Sequence, residues 1–270
     1  MKQRSLDNTL SLGEGRYRSL PLAGVVALLC CSPATLQAGA WSVTSGLDYH
    51  AGDYGQPLAT TGWYLPFAIS YRTDPWVIKA SLPYMWVEGP EWVTTTDSSG
   101  ATVEQQQNRR QQGVGDLWLS VTRELPWGTQ QGITLDLTAK LKLPLADETI
   151  GLGTGEVDGA LQGDVTKRWG RWLGMGSMSY NWRGRSADYQ PLDGWGGSLG
   201  GQYDWNRTVA VGLQGAYRQA SYAGSEDAWE LTGFLTRPIT AQWSSSWYLV
   251  HGFTESSPDL EGGVSLSYRF

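Results

Sequence analysis

Cysteine and histidine are scarce in this chain, two of each in 270 residues, and both cysteines, Cys30 and Cys31, lie side by side near the start. Long apolar runs are missing too. The longest is Leu20–Cys31, 12 residues, whereas a membrane-crossing helix needs roughly 18, so a polytopic helical membrane protein is excluded. Only 17% of residues are charged, and Phe and Met number four each. A soluble enzyme core is built mainly from Leu, Ile, Val, Phe and Met, with few Trp. Present instead are 35 Gly, 15 Trp and 13 Tyr, at a mean hydropathy of −0.33. Low charge with that excess of Gly and aromatics suggests a β-protein with an interfacial aromatic surface.

Residues 1–40 read as an export leader. Lys2, Arg4, Arg16 and Arg18 precede the short apolar run, and Ala38-Gly39-Ala40 fits a small-residue cleavage site. The rival readings are an anchor helix, opposed by Pro21 and Gly24, and a lipid-bearing cysteine, opposed by the bulky Leu29 before Cys30. A mature chain starting at Trp41 has no cysteine, which removes disulfides, thiol catalysis and cysteine metal sites together. Taking those four basic residues and Asp7 and Glu14 from the totals of 20 and 26 leaves 16 and 24, a net charge of −8. That balance opposes nucleic-acid binding.

From Trp41 onward the pattern has period two. In Ile133–Leu143 every odd residue is apolar except Ala139, which is small, and every even residue is polar, as a strand with one oily and one wet face requires. The same reading predicts twelve strands, at 41–50, 59–71, 75–87, 114–124, 132–144, 156–169, 172–183, 195–205, 208–220, 228–237, 241–251 and 262–270. Links alternate between long ones, the longest being 88–113, and short turns such as Thr73-Asp74, Gly170-Arg171 and Asn206-Arg207. The last strand alternates Val264, Leu266, Tyr268 and Phe270 with polar residues. An aromatic ending of this kind is what the barrel assembly machinery of bacteria reads by strand addition.

In lipid every backbone polar group must be paired within the protein, so a sheet can span only when closed. Residues 41–270 are therefore expected to form an all-β fold, a 12-stranded antiparallel up-and-down transmembrane β-barrel. Its setting is the bacterial outer membrane, with both termini periplasmic and the outer-membrane lipid as its surroundings. Trp63, Trp76, Trp86, Trp195, Trp205, Trp229 and Trp243 fall near strand ends, where aromatic girdles lie; the rival is sugar stacking, more so for Trp92.

No cofactor and no catalytic set are expected. Gly196-Gly197-Ser198-Leu199-Gly200 matches G-x-S-x-G, but it lies in an alternating strand with no helix after it, which a nucleophile elbow needs. His50 and His251 have no Ser at a recognisable spacing. Parity turns Lys79, Asp116, Asp136, Lys140, Lys142, Asp158, Asp164, Arg218, Glu230 and Arg269 to the lumen, because Lys or Arg at mid-depth on the lipid face would cost roughly 2–4 kcal/mol. Lys140 and Lys142 are expected close to Asp158 across a hairpin. The candidate lumen-lining residues are Lys140, Lys142, Asp158, Asp136, Asp164, Arg218 and Glu230, forming either a structural ladder or a constriction that selects a small-molecule solute. Twelve strands lie between the filled eight-stranded barrel and the open sixteen-stranded one, so a narrow, partly plugged passage is expected. The Gln-rich stretch 94–112 cannot build a core and reads as an outer loop, free or folded inward.

Gly113-Val114-Gly115-Asp116-Leu117, Lys140-Leu141-Lys142-Leu143-Pro144 with Asp147, and Gly151-Leu152-Gly153-Thr154-Gly155-Glu156-Val157-Asp158 resemble the outer-membrane transporters of the MetA-pathway of phenol degradation-like family. The resemblance covers roughly 110–270 and departs at Leu145-Ala146, where the family carries Thr-Gly. It implies a barrel that moves small, aromatic or hydrophobic molecules across the outer membrane, and transfers neither a substrate nor catalytic residues. The alternatives are a non-conducting structural or interaction barrel and, less favoured, a lipid-modifying enzyme.

Overall fold

The structure, a computed structural model, describes residues 39–96, 102–187 and 190–270. The leader reading therefore falls on residues outside the described ones, apart from Gly39 and Ala40. The strands are β1 (Ala40–Gly52), β2 (Thr60–Thr73), β3 (Trp76–Thr96), β4 (Thr102–Val114), β5 (Leu117–Leu125), β6 (Ile133–Leu143), β7 (Asp158–Trp169), β8 (Trp172–Trp182), β9 (Gly194–Asp204), β10 (Ala210–Arg218), β11 (Ala228–Pro238), β12 (Trp243–Gly252) and β13 (Leu260–Arg269). Each pairs antiparallel with its neighbours, and β1 meets β13 through Ser42↔Arg269 to Ala51↔Leu260, closing the ring. The result is a closed 12-stranded antiparallel β-barrel with one extra strand.

That extra strand corrects the sequence reading of 88–113 as a loop. β3 runs on to Thr96, and β4 returns along it from Thr96↔Thr102 to Tyr84↔Val114 before β5 takes over from Ser81↔Trp118 to Trp76↔Arg123. A polar, Gln-rich segment makes no core, but a hairpin needs none when it prolongs a ladder already anchored in the wall. β4 and β5 thus form one returning rung, broken at Gly115-Asp116. The break has a cause on β3: Pro83 accepts from the Gly115 amide at 2.8 Å and has no N–H to return. Pro83 faces Pro66 of β2, and beside Pro66 the β1–β2 ladder skips Gly46 and Leu47.

The two faces separate as period two demands. Leu137, Leu141, Leu161, Val165, Leu199, Leu213 and Leu249 are exposed on the outer face. Above and below them run two aromatic belts. One, at the end carrying the termini, includes Trp41 against Tyr71, Trp172 against Tyr203 and Trp243 against Tyr268. The other includes Tyr49 against Trp63, Tyr180 against Trp195 and Tyr217 against Trp229. Trp76 and Trp86 mark the belts on one strand, ten residues apart; at roughly 3.3 Å per residue and a tilt near 40° they stand about 25 Å apart along the barrel axis, the height of an outer-membrane apolar band. Outward-facing Arg123 lies over the Trp76 ring at 5.3 Å.

Candidate functional site

The three sequence segments that carried the family resemblance meet at one node on the inner side of the wall. Register places Lys142 opposite Trp118 on β5 and Asp158 on β7. Its Nζ lies 2.7 Å from Asp158 Oδ2 and 3.4 Å from Asp116 Oδ2, donates to Thr154 Oγ1 at 3.0 Å, and leaves the side chain 1% exposed. Neither carboxylate relies on the lysine alone. Asp116 Oδ1 accepts from the Leu145 and Ala146 amides at 3.2 and 3.1 Å, and Asp158 Oδ1 from the Gly184 amide at 2.9 Å. One ammonium therefore ties the links 144–157 and 183–187 to the wall. Leu152, Ala146, Met85 and Val87 pack as a buried apolar cap beside it, and Gly153 leaves no room for a side chain, since a Cβ there would sit 2.6 Å from that of Ala146. Asp147, just after the Leu145-Ala146 departure, caps the short 3-10 turn Glu148–Ile150. The Thr149 hydroxyl and amide donate to it at 2.6 and 2.9 Å and hold its carboxyl below the usual range.

Lys140 sits one row nearer the termini end than the expected contact with Asp158. Its register partner is Ala160, and its ammonium donates to Gln162 Oε1 at 2.6 Å. Gln162 Nε2 in turn donates to Asp164 Oδ1 at 2.7 Å. Asp136 faces Asp164 directly, with the Arg72–Glu124 ion pair nearby.

Arg218 and Glu230 belong to a separate cluster. Arg218 Nη2 lies 3.7 Å from Glu230 Oε1 and donates to the Ser256 carbonyl at 3.2 Å. Tyr248 donates to Glu261 at 3.2 Å, and Asp48 also hydrogen-bonds Tyr248. His50, opposite Glu261 in register, is buried against Tyr64 with ring centroids 5.0 Å apart, and its Nε2 finds no hydrogen-bond partner among the described residues. Nothing in the sequence pattern foretold this cluster, because Asp48, His50 and Glu261 come from strands at opposite ends of the chain and meet only where the ring closes.

Ser198 shares hydrogen bonds with Ser177 at 2.7 Å and Gln214 at 2.6 Å, and no histidine. His251 lies on the other face of the wall from His50 and contacts the Asp259 carbonyl at 2.9 Å. The residues of a Ser–His pair are thus not brought together.

No protein-family model matches the chain, and no curated protein matches it. Solved structures do. An outer membrane channel from Pseudomonas putida F1 superposes with a TM-score of 0.67 at 18% identity, over 87% of this chain and 97% of that one. The KdgM porin gives 0.54 at 9% identity over 85% and 99%, and the NanC porin 0.53 at 9% over 84% and 98%. At such identities the likeness is one of fold.

Proposed function

We propose that the protein is a passive channel of the bacterial outer membrane, admitting small solutes along the charged inner wall of its barrel. The observation that carries this reading is the segregation of charge between the two faces. Asp48, Lys79, Asp136, Lys140, Asp164, Arg218, Glu230 and Glu261 all share the inward parity, whereas Arg123, Lys167 and Arg237 face outward at the termini end, beside Trp76, Trp169 and Trp243. Such end charges can snorkel to water while an apolar band faces lipid. Charge kept at membrane depth marks a solute or ion pathway more often than a scaffold. The fold neighbours that their names describe as a channel and porins support the reading, as does the resemblance to the MetA-pathway transporters, whose cargo is small, aromatic or hydrophobic molecules. The lumen-lining residues are Lys140, Lys142, Asp158, Asp136, Asp164, Arg218 and Glu230, with Lys142 and Asp158 shaping the wall. The C-terminal strand ending at Phe270 is the segment offered to the assembly machinery.

A second reading has its own support. Leu173, Phe234 and Val250 are buried on the inward parity, as in a barrel filled by its own side chains. The two readings part in planar bilayers and solute-loaded vesicles. The channel gives discrete conductance or solute flux, and complete silence of folded protein at every ionic strength refutes it in favour of the filled barrel.

A further inference from the structure

Among the described residues, Lys79 is an inner-wall cation with no carboxylate partner. Lys79 on β3 has Ser70 opposite it on β2, Ser120 opposite it on β5, and Val77 and Ser81 beside it on the same face of its own strand. Among the described residues it makes no hydrogen bond or ion pair. Ser120 in turn faces Lys140, so two ammonium groups share one row, about 10 Å apart at the backbone across two strand spacings. Lys140 donates to the neutral Gln162 amide, and Asp164, which accepts from that amide, attracts the ammonium electrostatically without forming an ion-pair contact. A charge withdrawn from water without a counter-ion is costly, and none of the described residues supplies one to Lys79. In the next row, on the same face, stands Trp118, between Ser81 and Lys142. Parity in its short strand turns it inward, whereas Trp63, Trp76, Trp86, Trp195, Trp229 and Trp243 are exposed on the outer face. The carboxylates Asp48, Glu230 and Glu261 lie on β1, β11 and β13, and Asp136 stands two rows nearer the termini end than Lys140, opposite Glu124 and Asp164.

We propose that Lys79 and Lys140 bind the anionic head of an organic acid whose apolar body lies against Trp118. The inference deepens the channel reading by naming the charge and shape of the solute. Two rotatable ammonium groups take a carboxylate as point charges without demanding a fixed approach. Ser120, between them, adds a neutral hydroxyl. The indole face accepts a flat or aliphatic body and gains area from it that a two-carbon acid cannot match.

The test uses the folded full-length barrel in detergent, its folding checked by gel mobility before and after boiling, and calorimetric titration with benzoate, acetate and benzylamine. Benzoate is expected to bind, acetate more weakly, and benzylamine not at all. Lys79→Gln and Lys140→Gln each weaken benzoate about tenfold or more. Trp118→Ala weakens benzoate and leaves acetate unchanged. Lys167→Gln, which removes an equal charge from the outer face, changes neither. Benzylamine binding as well as benzoate, benzoate affinity unaltered in a folded Lys79→Gln protein, or no benzoate binding to the folded wild type would each overturn the proposal. Titration does not require conduction. A conducting barrel that ignores benzoate refutes this inference alone, and an electrically silent barrel that binds it refutes only the channel.

Discussion

Replacing Lys142 with methionine is the sharpest test of how the outer links are held. The change keeps the aliphatic stem and removes the ammonium from between Asp158, at 2.7 Å, and Asp116, at 3.4 Å. Two carboxylates, with side chains only 18% and 7% exposed, then face each other. Removing one partner of a buried pair typically costs about 3–5 kcal/mol, because the charge left behind is uncompensated. The amides of Leu145, Ala146 and Gly184 still solvate both aspartates, which places the expectation near the lower end, about 3 kcal/mol. The triple variant Lys142→Met, Asp116→Asn, Asp158→Asn removes every charge yet keeps an amide oxygen for each backbone donor. It should recover to within about 1 kcal/mol of wild type, since neutral replacement of a whole buried ionic group is often tolerated. Urea unfolding in lipid vesicles, followed by tryptophan emission, reads both. Amide exchange should rise in 144–157 and 183–187 in the single variant and not in the triple. A single variant within 1 kcal/mol of wild type, or a triple variant no better than the single, would refute the account of Lys142 as the tie between these links.

Two further perturbations probe the wall itself. A Cβ on Gly62 would lie 2.5 Å from His50 Cε1, so Gly62→Ala should lower unfolding stability by about 1–3 kcal/mol through overpacking, and adding His50→Ala should restore part of the loss; a strictly additive double variant would show that the two residues are not in conflict. Leu161→Arg, on the exposed outer face of β7, should destabilise the barrel by roughly 2–4 kcal/mol in vesicles and far less in unfolding from short-chain detergent, as expected for an apolar band in contact with hydrocarbon; equal effects in both media would count against that contact.

What the chain's own pattern decides is the face each residue takes. Period two in Ile133–Leu143 assigns Asp136, Lys140 and Lys142 to one side without reference to any other strand, and the belts at Trp63, Trp76, Trp195 and Trp229 mark where strands end. The alternation of long and short links then yields the up-and-down order. The pattern is silent on length where the side chains are polar on both faces, which is why the β3–β4 hairpin reads as a loop: its pairing is carried by the backbone, and composition reports only side chains. It is equally silent on register. Sliding a strand by two residues preserves every inward and outward assignment and changes every neighbour, so Lys142 meeting Asp158 while Lys140 meets Gln162 is settled only by the paired strands. The two most consequential juxtapositions need the assembled ring. Lys79 comes beside Lys140 because β5 lies between β3 and β6, and His50 comes beside Glu261 because the first strand closes on the last. Facing is a property of one strand and can be read along the chain, whereas adjacency across a sheet is a property of pairs and belongs to the tertiary structure.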